Sequence, residues 1–356
     1  MATHKKNQVT TPPPAAEPVP ISFRDILGQE RALNYLRTAW QHGRLAHAYL
    51  FLGPEGVGKA STTRALTALL NCTQPLEGEA CGTCPSCRRM AAGTHPDFRI
   101  ILPTSEGRQP QIKIEQIREL RRLTAYPPVG DGWRVVLIKP AEAMNDAAVN
   151  ALLKTLEEPP PRHLLILTAG VEDDLFPTVV SRCQKLAFAP LPATLIRQEL
   201  IRRGRSEAQA ALLTALSGGS LGRALALDPE ELLRQRGQVL ADLKQLPQGP
   251  ASLMLDWAGR LAKSGPESDN FLLLAQLWYR DLLIRQFGAP ATLLAHQDCL
   301  EDLEGEGGKG EVATWFAHFA ALSAAQRFLR ANLNPELTLD ILGFRLQDQG
   351  YGNELR

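Results

Sequence analysis

The stretch that most constrains this chain runs from Ala48 to Ser61, where an apolar run leads into a glycine-rich loop. The run Ala-Tyr-Leu-Phe-Leu is typical of a buried parallel strand, and closely spaced glycines let the following backbone turn its N–H groups toward a phosphate. A helical run over residues 62–70 comes next. We therefore predict a strand, a phosphate-binding loop and a helix; a chance glycine-rich turn is the alternative. The predicted phosphate contacts are Gly53, Gly56, Gly58 and Lys59.

The same loop lacks the groups that hold magnesium in an active ATPase. The pattern G-x-x-x-x-G-K-[ST] ends here in Ala60, so the hydroxyl ligand is missing. The predicted third strand, 134–138, is followed by Lys139 and Pro140, where such enzymes carry an Asp for Mg²⁺ and a Glu for the attacking water. Glu142 lies two residues further on, and a shift of register could supply one carboxylate. We predict that ATP binding is doubtful and that hydrolysis by this chain alone is absent.

Four of the six cysteines crowd into sixteen residues with the spacing C-x8-C-x2-C-x2-C. Overlapping C-x-x-C turns let thiolates converge on one ion, and four thiolates are typical of structural Zn²⁺. An iron–sulfur cluster and free core cysteines are the alternatives. His95 is expected to begin the next strand rather than to bind metal. The predicted zinc ligands are Cys72, Cys81, Cys84 and Cys87.

Short strand-like runs alternate with helical sequence in the first half of the chain, which favours a parallel sheet covered on both faces. After Pro190 only helical patterns occur, with a glycine-rich break at 305–310. The predicted strands are 48–52, 97–103, 134–138, 164–168 and 184–188. The predicted domains are a disordered tail (1–20), a phosphate-loop domain (21–190) carrying the zinc module (72–87), a helical lid (191–228) and a helical C-terminal oligomerisation domain (229–356).

Composition excludes some classes of function. Lys and Arg number 39 against 38 Asp and Glu, so no global positive field calls for nucleic acid. No apolar run of membrane-spanning length and no secretory signal occurs, so we expect a cytoplasmic protein that does not contact membranes.

Several motifs together resemble those of the bacterial clamp-loader AAA+ subunits of DNA polymerase III, strongly over 22–226 and more loosely to about 346. The shared segments are Ser22-Phe-Arg-Asp-Ile-Leu-Gly-Gln-Glu, His47-Ala-Tyr-Leu-Phe-Leu-Gly-Pro-Glu-Gly-Val-Gly-Lys, the four cysteines, His95-Pro-Asp, Asn150-Ala-Leu-Leu-Lys-Thr-Leu-Glu-Glu-Pro and Ser181-Arg-Cys-Gln. Lys139 and Pro140 separate the chain from the gamma/tau subunits, which resemble active ATPases, and bring it nearer to the delta-prime branch.

The resemblance implies an AAA+ fold and a catalytically silent member of a ring of subunits. The implied partners are gamma/tau and delta, with the sliding clamp contacted indirectly and primed DNA reached through the assembled complex. Spacing alone favours a structural ion pair for Arg182 near the end of a strand. The resemblance reverses this preference, since Arg182 looks like an arginine finger that reaches into a neighbouring subunit's ATP. Thr168 and Arg223 lie near the family's sensor positions, with their roles left open.

Two other functions remain as alternatives at this stage. One is an active, ATP-hydrolysing motor subunit of the gamma/tau type, which Lys139 and Pro140 argue against. The other is a stand-alone zinc-dependent nucleic-acid-binding protein, suggested by the cysteines and by Arg88 and Arg89 beside them. Near-neutral charge and the absence of interleaved aromatic residues argue against that second function.

Overall fold

The computed structural model describes residues 21–104, 110–307, 311–331 and 333–347, so the predicted disordered tail lies outside the described residues. The chain divides into two compact units, 1–189 and 190–356. The break falls beside Pro190, where the composition shifts from mixed to all-helical sequence. The further division of the second unit into a lid and an oligomerisation domain stays a prediction.

The sheet of the first unit confirms the predicted α/β class. Within the described residues it has five parallel strands, which lie side by side in the order Phe98–Ile101, Arg134–Ile138, His163–Ala169, Ala48–Leu52 and Gln184–Ala187. Two predicted strands are shorter than expected, and the fourth continues one residue past Thr168. The strands are β1 (Ala48–Leu52), β2 (Phe98–Ile101), β3 (Arg134–Ile138), β4 (His163–Ala169) and β5 (Gln184–Ala187).

Helices cover both faces of this sheet because successive strand residues point to opposite sides. Leu50 and Val136 pack with residues of the helices Ile114–Thr124 and Asp146–Glu157 on one face. Tyr49 and Phe51 pack with residues of the helices Glu30–Gln41 and Lys59–Leu70 on the other face. The prolines after Glu158 end the helix Asp146–Glu157, as the sequence predicts. The helices of this unit are α1 (Glu30–Gln41), α2 (Lys59–Leu70), α3 (Pro85–Ala91), α4 (Ile114–Thr124), α5 (Asp146–Glu157) and α6 (Pro177–Val180).

The second unit is helical throughout its described residues. The predicted break at 305–310 begins too early, because α13 continues to Gly307; residues 308–310 lie outside the described ranges. The helices are α7 (Ala193–Arg202), α8 (Glu207–Ser217), α9 (Leu221–Ala226), α10 (Pro229–Gln245), α11 (Ala251–Ala262), α12 (Gly265–Gln286), α13 (Leu300–Gly307), α14 (Val312–Arg330) and α15 (Pro335–Gln347). None of the helices described is both long and apolar enough to cross a bilayer.

A buried ion pair fixes the loop that precedes β3. The Asp97 carboxylate accepts hydrogen bonds from the Arg134 guanidinium (Nη2–Oδ1 2.9 Å) and from the N–H of Val129. The remaining guanidinium donors reach the carbonyls of Leu123, Tyr126 and Pro127. Both charged side chains are more than nine-tenths buried. Because the donors and the carboxylate are satisfied together, the pair holds the loop 126–129 against the start of β3.

Replacement of Asp97 with alanine is expected to lower the free energy of unfolding by about 3–5 kcal/mol, because the Arg134 guanidinium would stay buried without its charge partner. Urea denaturation of the full chain measures this change. Arg24→Ala is the matched control, since the Arg24–Glu77 pair is exposed and worth at most about 1 kcal/mol. Equal losses in the two variants would contradict the interpretation.

Candidate functional site

The predicted phosphate loop lies at the carboxyl end of the central strand β1. A Cβ on Gly53 would lie 2.1 Å from the carbonyl oxygen of Phe188, so only glycine fits where the loop leaves the strand. The N–H of Gly53 donates to the carbonyl of Ala169, at the end of the neighbouring strand (3.1 Å). Gly56 and Gly58 both have positive φ, of 76° and 112°, which turns the backbone back on itself before α2. This loop therefore has the strand–loop–helix setting that the sequence predicts.

Lys59, the first residue of α2, is buried and turned toward its own loop. Its ammonium donates to the carbonyl oxygens of Gly53 and Pro54. Burial lowers the pKa of Lys59, and the charge of Lys139 lowers it further, while Glu142 and Glu55 act in the opposite direction. The loop backbone thus satisfies the ammonium from within the chain.

A second cation stands where the third strand ends. The ammonium of Lys139 lies 3.5 Å from a carboxylate oxygen of Glu55, an exposed residue of the phosphate loop itself. The chain thus places lysine at the position where an active ATPase of this type presents a metal-binding carboxylate. Pro140, the next residue, has no N–H with which to bind a phosphate oxygen.

Glu142 and Thr168 complete this edge of the sheet. A carboxylate oxygen of Glu142 accepts the N–H of Gly170, just beyond β4 (3.2 Å). Thr168 is buried in β4, paired in register with Phe51 of β1. Sequence reasoning treated Glu142 as a minor possibility and missed Glu55, because the pattern of the loop leaves that position free.

Arg182 lies in the turn between α6 and β5 and is held by an ion pair. One guanidinium nitrogen donates to Glu157 at the end of α5 (2.7 Å) and another to the carbonyl of Thr178 (2.9 Å). The Arg182 side chain keeps 35% of its surface exposed and that of Glu157 keeps 51%. The structure therefore contains the intramolecular pair that spacing alone suggested, on an open surface.

Arg223 lies on α9 in the second unit, where it is exposed. Its backbone N–H donates to the hydroxyl of Ser220, which caps the start of this helix (3.0 Å). The sensor roles considered for Thr168 and Arg223 stay predictions.

The four predicted cysteine ligands converge. Their sulfur atoms all lie within 4.8 Å of one another, and those of Cys81 and Cys87 are 4.0 Å apart. Zn–S bonds of about 2.3 Å in a tetrahedron require sulfur atoms about 3.8 Å apart, so a small inward movement suffices to bind one ion. Within the described residues this is the one group of metal-ligand side chains that comes together in this way. The cluster can hold a metal ion.

Backbone donors surround the sulfur atoms as expected for thiolates. The N–H of Cys81 donates to the sulfur of Cys72 (3.2 Å), and that of Cys84 donates to the sulfur of Cys81 (3.3 Å). Burial opposes ionisation of Cys84, but the N–H groups of Cys87 and Thr73 outweigh it and lower the pKa of this thiol to about 6. Burial raises the pKa of Cys72 and Cys87. Packing four thiols this closely favours a cation that ionises them together.

His95 is committed to hydrogen bonds outside the cluster. Its Nδ1 accepts the N–H of Asp97 (3.2 Å), so its Nε2 carries the proton and donates to the hydroxyl of Ser86 (3.0 Å). Burial lowers the pKa of His95 and keeps the ring neutral. The histidine therefore links α3, through Ser86, to the segment before β2.

Known proteins match this chain over most of its length. The family described as DNA polymerase III, delta subunit, matches residues 28–192, which include the phosphate loop, the cysteines and Arg182. DNA polymerase III subunit delta' of Pseudomonas aeruginosa is 41% identical over 226 residues, which cover 62% of this chain and 67% of that protein. The chain belongs to the delta-prime clamp-loader family of DNA polymerase III.

Two further relatives are similar to this chain over different shares of their lengths. DNA polymerase III subunit delta' of Bacillus subtilis is 29% identical over 326 residues, covering 90% of this chain and 96% of that protein. DNA polymerase III subunit tau of Escherichia coli is 35% identical over 227 residues, covering 62% of this chain but only 34% of that longer protein. The match to the delta-prime subunit of Bacillus subtilis thus extends into the helical second unit.

Replacement of Cys87 with serine is expected to remove stoichiometric metal from the purified chain, because a buried hydroxyl replaces one of four thiolate ligands. Elemental analysis by mass spectrometry measures the bound metal. Cys299→Ser, outside the cluster, should keep the metal content of the natural chain. Unchanged metal in the Cys87 variant would contradict the assignment.

Proposed function

We propose that this protein is a non-catalytic clamp-loader subunit, which supports the ATP-dependent loading of the sliding clamp onto primed DNA. It acts in the cytoplasm within a complex of gamma/tau and delta subunits, and it reaches the clamp indirectly and DNA through the assembled complex. The observation that carries the proposal is Lys139 beside the phosphate loop, in a chain matched along 90% of its length by a delta-prime subunit.

The charges around the phosphate loop argue against hydrolysis. Metal-dependent phosphoryl transfer needs carboxylate and hydroxyl ligands for Mg²⁺ and a group that positions the attacking water. Ala60, Lys139 and Pro140 supply none of these, and a metal ion near Lys139 would meet a like charge. Losing even one such contribution typically costs orders of magnitude in rate. Lys59 and the loop N–H groups still allow weak binding of a polyphosphate, without turnover.

Purified full-length chain is expected to hydrolyse ATP no faster than its Lys59→Ala variant, because the groups for metal binding and water activation are absent. A coupled phosphate-release assay measures turnover, and calorimetric titration with and without Mg²⁺ measures binding. We expect Mg²⁺ not to strengthen whatever binding occurs, since the ion would compete with Lys139 for the phosphate oxygens. Turnover that disappears in Lys59→Ala would refute the inactive assignment.

Arg182 is the proposed arginine finger. A guanidinium supplied by a neighbour offers fixed, forked donors to the charge on a γ-phosphate and makes hydrolysis depend on assembly. The exposed pair with Glu157 supports this role, because such pairs contribute about 0–1 kcal/mol and are readily exchanged for a stronger anion. Glu157 would then hold the side chain in place until a partner's nucleotide replaces it.

Arg182→Ala is expected to leave folding and assembly intact and to lower the ATPase activity of the reconstituted loader. The neighbouring site would lose a contribution that reaches about 10³–10⁵ in related phosphoryl transfers. Arg182→Lys should recover little, because lysine lacks the fork.

Lys185→Ala is the matched control for Arg182. Lys185 is another exposed cation, three residues further along the chain, and it pairs with Glu172 (2.6 Å). Its loader activity should equal that of the natural chain. Unchanged loader ATPase activity in Arg182→Ala, or an equal loss in both variants, would refute the proposal that Arg182 is an arginine finger.

The segment 72–87, here called the cysteine module, is proposed to hold one structural Zn²⁺. Four sulfur ligands fill a tetrahedral site and leave no open position for water, so the ion would stabilise structure and take no part in chemistry. The short N–H···S contacts support ionised sulfur atoms, and the lone short helix α3 gives this segment little other support.

The helical C-terminal domain, 229–356, is proposed to mediate oligomerisation. Large apolar side chains of α14, of α15 and of the connection between them are exposed beside an apolar groove of about 230 Å³. An exposed apolar surface of this kind is typical of a protein–protein interface. The exposed residues are Phe316, Phe328, Leu333, Leu337, Ile341 and Phe344.

An ATP-hydrolysing motor subunit of the gamma/tau type is the second candidate. The 35% identity to subunit tau and the retained Lys59 favour it. The absence of the metal ligands beside the loop opposes it, and the comparison of the natural chain with Lys59→Ala separates the two candidates.

A further inference from the structure

The cysteine module carries a buried carboxylate that points away from the cysteines. Glu79 lies in the turn between Cys72 and Cys81, and only 6% of its surface is exposed. One carboxylate oxygen accepts the hydroxyl of Ser22 (2.6 Å) and the N–H of Phe23 (2.9 Å). The other accepts the guanidinium of Arg37 on α1 (2.7 Å). Three donors from two other segments of the first unit thus meet on one side chain of the module.

The charge of Glu79 strengthens these contacts. The guanidinium of Arg37 and the carboxylate of Glu79 are opposite charges 2.7 Å apart. The hydrogen bond between them is therefore of the stronger, charge-assisted kind. The Arg37 guanidinium also lies over the ring of Phe23, 5.7 Å from its centre.

The segment that Glu79 holds continues directly to the phosphate loop. The side chain of Ile26 lies 3.4 Å from the position that a Cβ on Gly58 would occupy. The amide of Gln29 donates to the carbonyl of Val57 (3.2 Å) and to that of Ala189 (2.8 Å). Residues 22–29 therefore connect the cysteine module at one end with the middle of the phosphate loop at the other.

A second connection runs through α2. This helix begins at Lys59 and ends one residue before Asn71, whose side-chain amide donates to the carbonyl of Trp133 (3.0 Å). Cys72 follows at once. The module is thus attached to the phosphate loop both by the helix that starts there and by the segment held by Glu79.

We propose that Glu79 is a positioning residue that couples the metal-bound state of the cysteine module to the conformation of the phosphate loop. This inference rests on the metal binding proposed above. The ion fixes the turn that carries Glu79, because the module has only a seven-residue helix of its own. The carboxylate then holds residues 22–29, and Ile26 and Gln29 hold the loop. Loss of the metal releases these contacts in sequence.

Hydrogen exchange of the full-length chain, followed by mass spectrometry, tests the coupling. Removal of the metal with a chelator should increase exchange in 72–91, in 22–29 and in 53–58. Glu79→Gln should keep full metal content and yet increase exchange in 22–29 and 53–58 by about tenfold or more, the effect of losing a charge-assisted hydrogen bond. Glu79→Asp, which keeps the charge on a shorter side chain, should restore part of the protection.

Glu77→Gln is the matched control, because Glu77 lies in the same turn and its exposed carboxylate pairs with the exposed guanidinium of Arg24. Its exchange should equal that of the natural chain. Unchanged exchange at 53–58 in Glu79→Gln, or a chelator effect confined to 72–91, would overturn the coupling. A chain that purifies without metal would refute the zinc site instead, and the Glu79 variants would still decide whether this carboxylate positions the loop.

Discussion

The rest of the structure depends on the burial of β1 between β4 and β5. Its residues pack on both faces of the sheet, so the strand cannot slide by one residue without moving an entire apolar face to the wrong side. This fixed register brings the end of β1 against Phe188 and Ala169, where only a glycine fits at position 53. The carboxyl ends of β3 and β4 reach the same edge, and the phosphate loop, Lys139 and Glu142 are therefore neighbours.

The electrostatics at that edge differ from those of a hydrolytic enzyme. The ammonium groups of Lys59 and Lys139 both lie beside the phosphate loop, whose N–H groups by themselves favour an anion. The carboxylates nearest to the loop are already engaged, that of Glu55 with Lys139 and that of Glu142 with the N–H of Gly170. The chain therefore has lysine and proline where a hydrolytic enzyme of this kind carries its metal-binding and water-positioning acids.

Ion pairs in the first unit serve two different purposes according to their exposure. The buried groups Asp97, Arg134 and Glu79 are satisfied on every side and fix loops and segments in place. The Arg182–Glu157 pair is open to water and costs little to break. An exposed guanidinium such as that of Arg182 can change partners, whereas the buried guanidinium of Arg134 cannot.

The sequence alone determined the features that depend on local pattern. Apolar runs predicted the α/β class and all five strands to within a few residues. Glycine positions predicted the phosphate loop, and cysteine spacing predicted the four converging sulfur atoms. Each of these features follows from residues that are close together in the chain. The replacement of the two acids after β3 by Lys139 and Pro140 could also be recognised in the sequence, because it requires only that the end of this strand be located.

Only the tertiary structure decided which distant residues meet. These contacts join positions from six to more than eighty residues apart. They are the ion pair of Lys139 with Glu55, the hydrogen bond of Lys59 to the carbonyl of Gly53, and the hydrogen bonds that Glu79 accepts from Ser22 and Phe23. Charged side chains show no periodic pattern that reveals their partners, because the same carboxylate is equally stable in water. Packing of the sheet and of the cysteine-bearing segment removes that water from Lys59 and Glu79, and the partner of each of these buried charges is then fixed by which groups lie within reach.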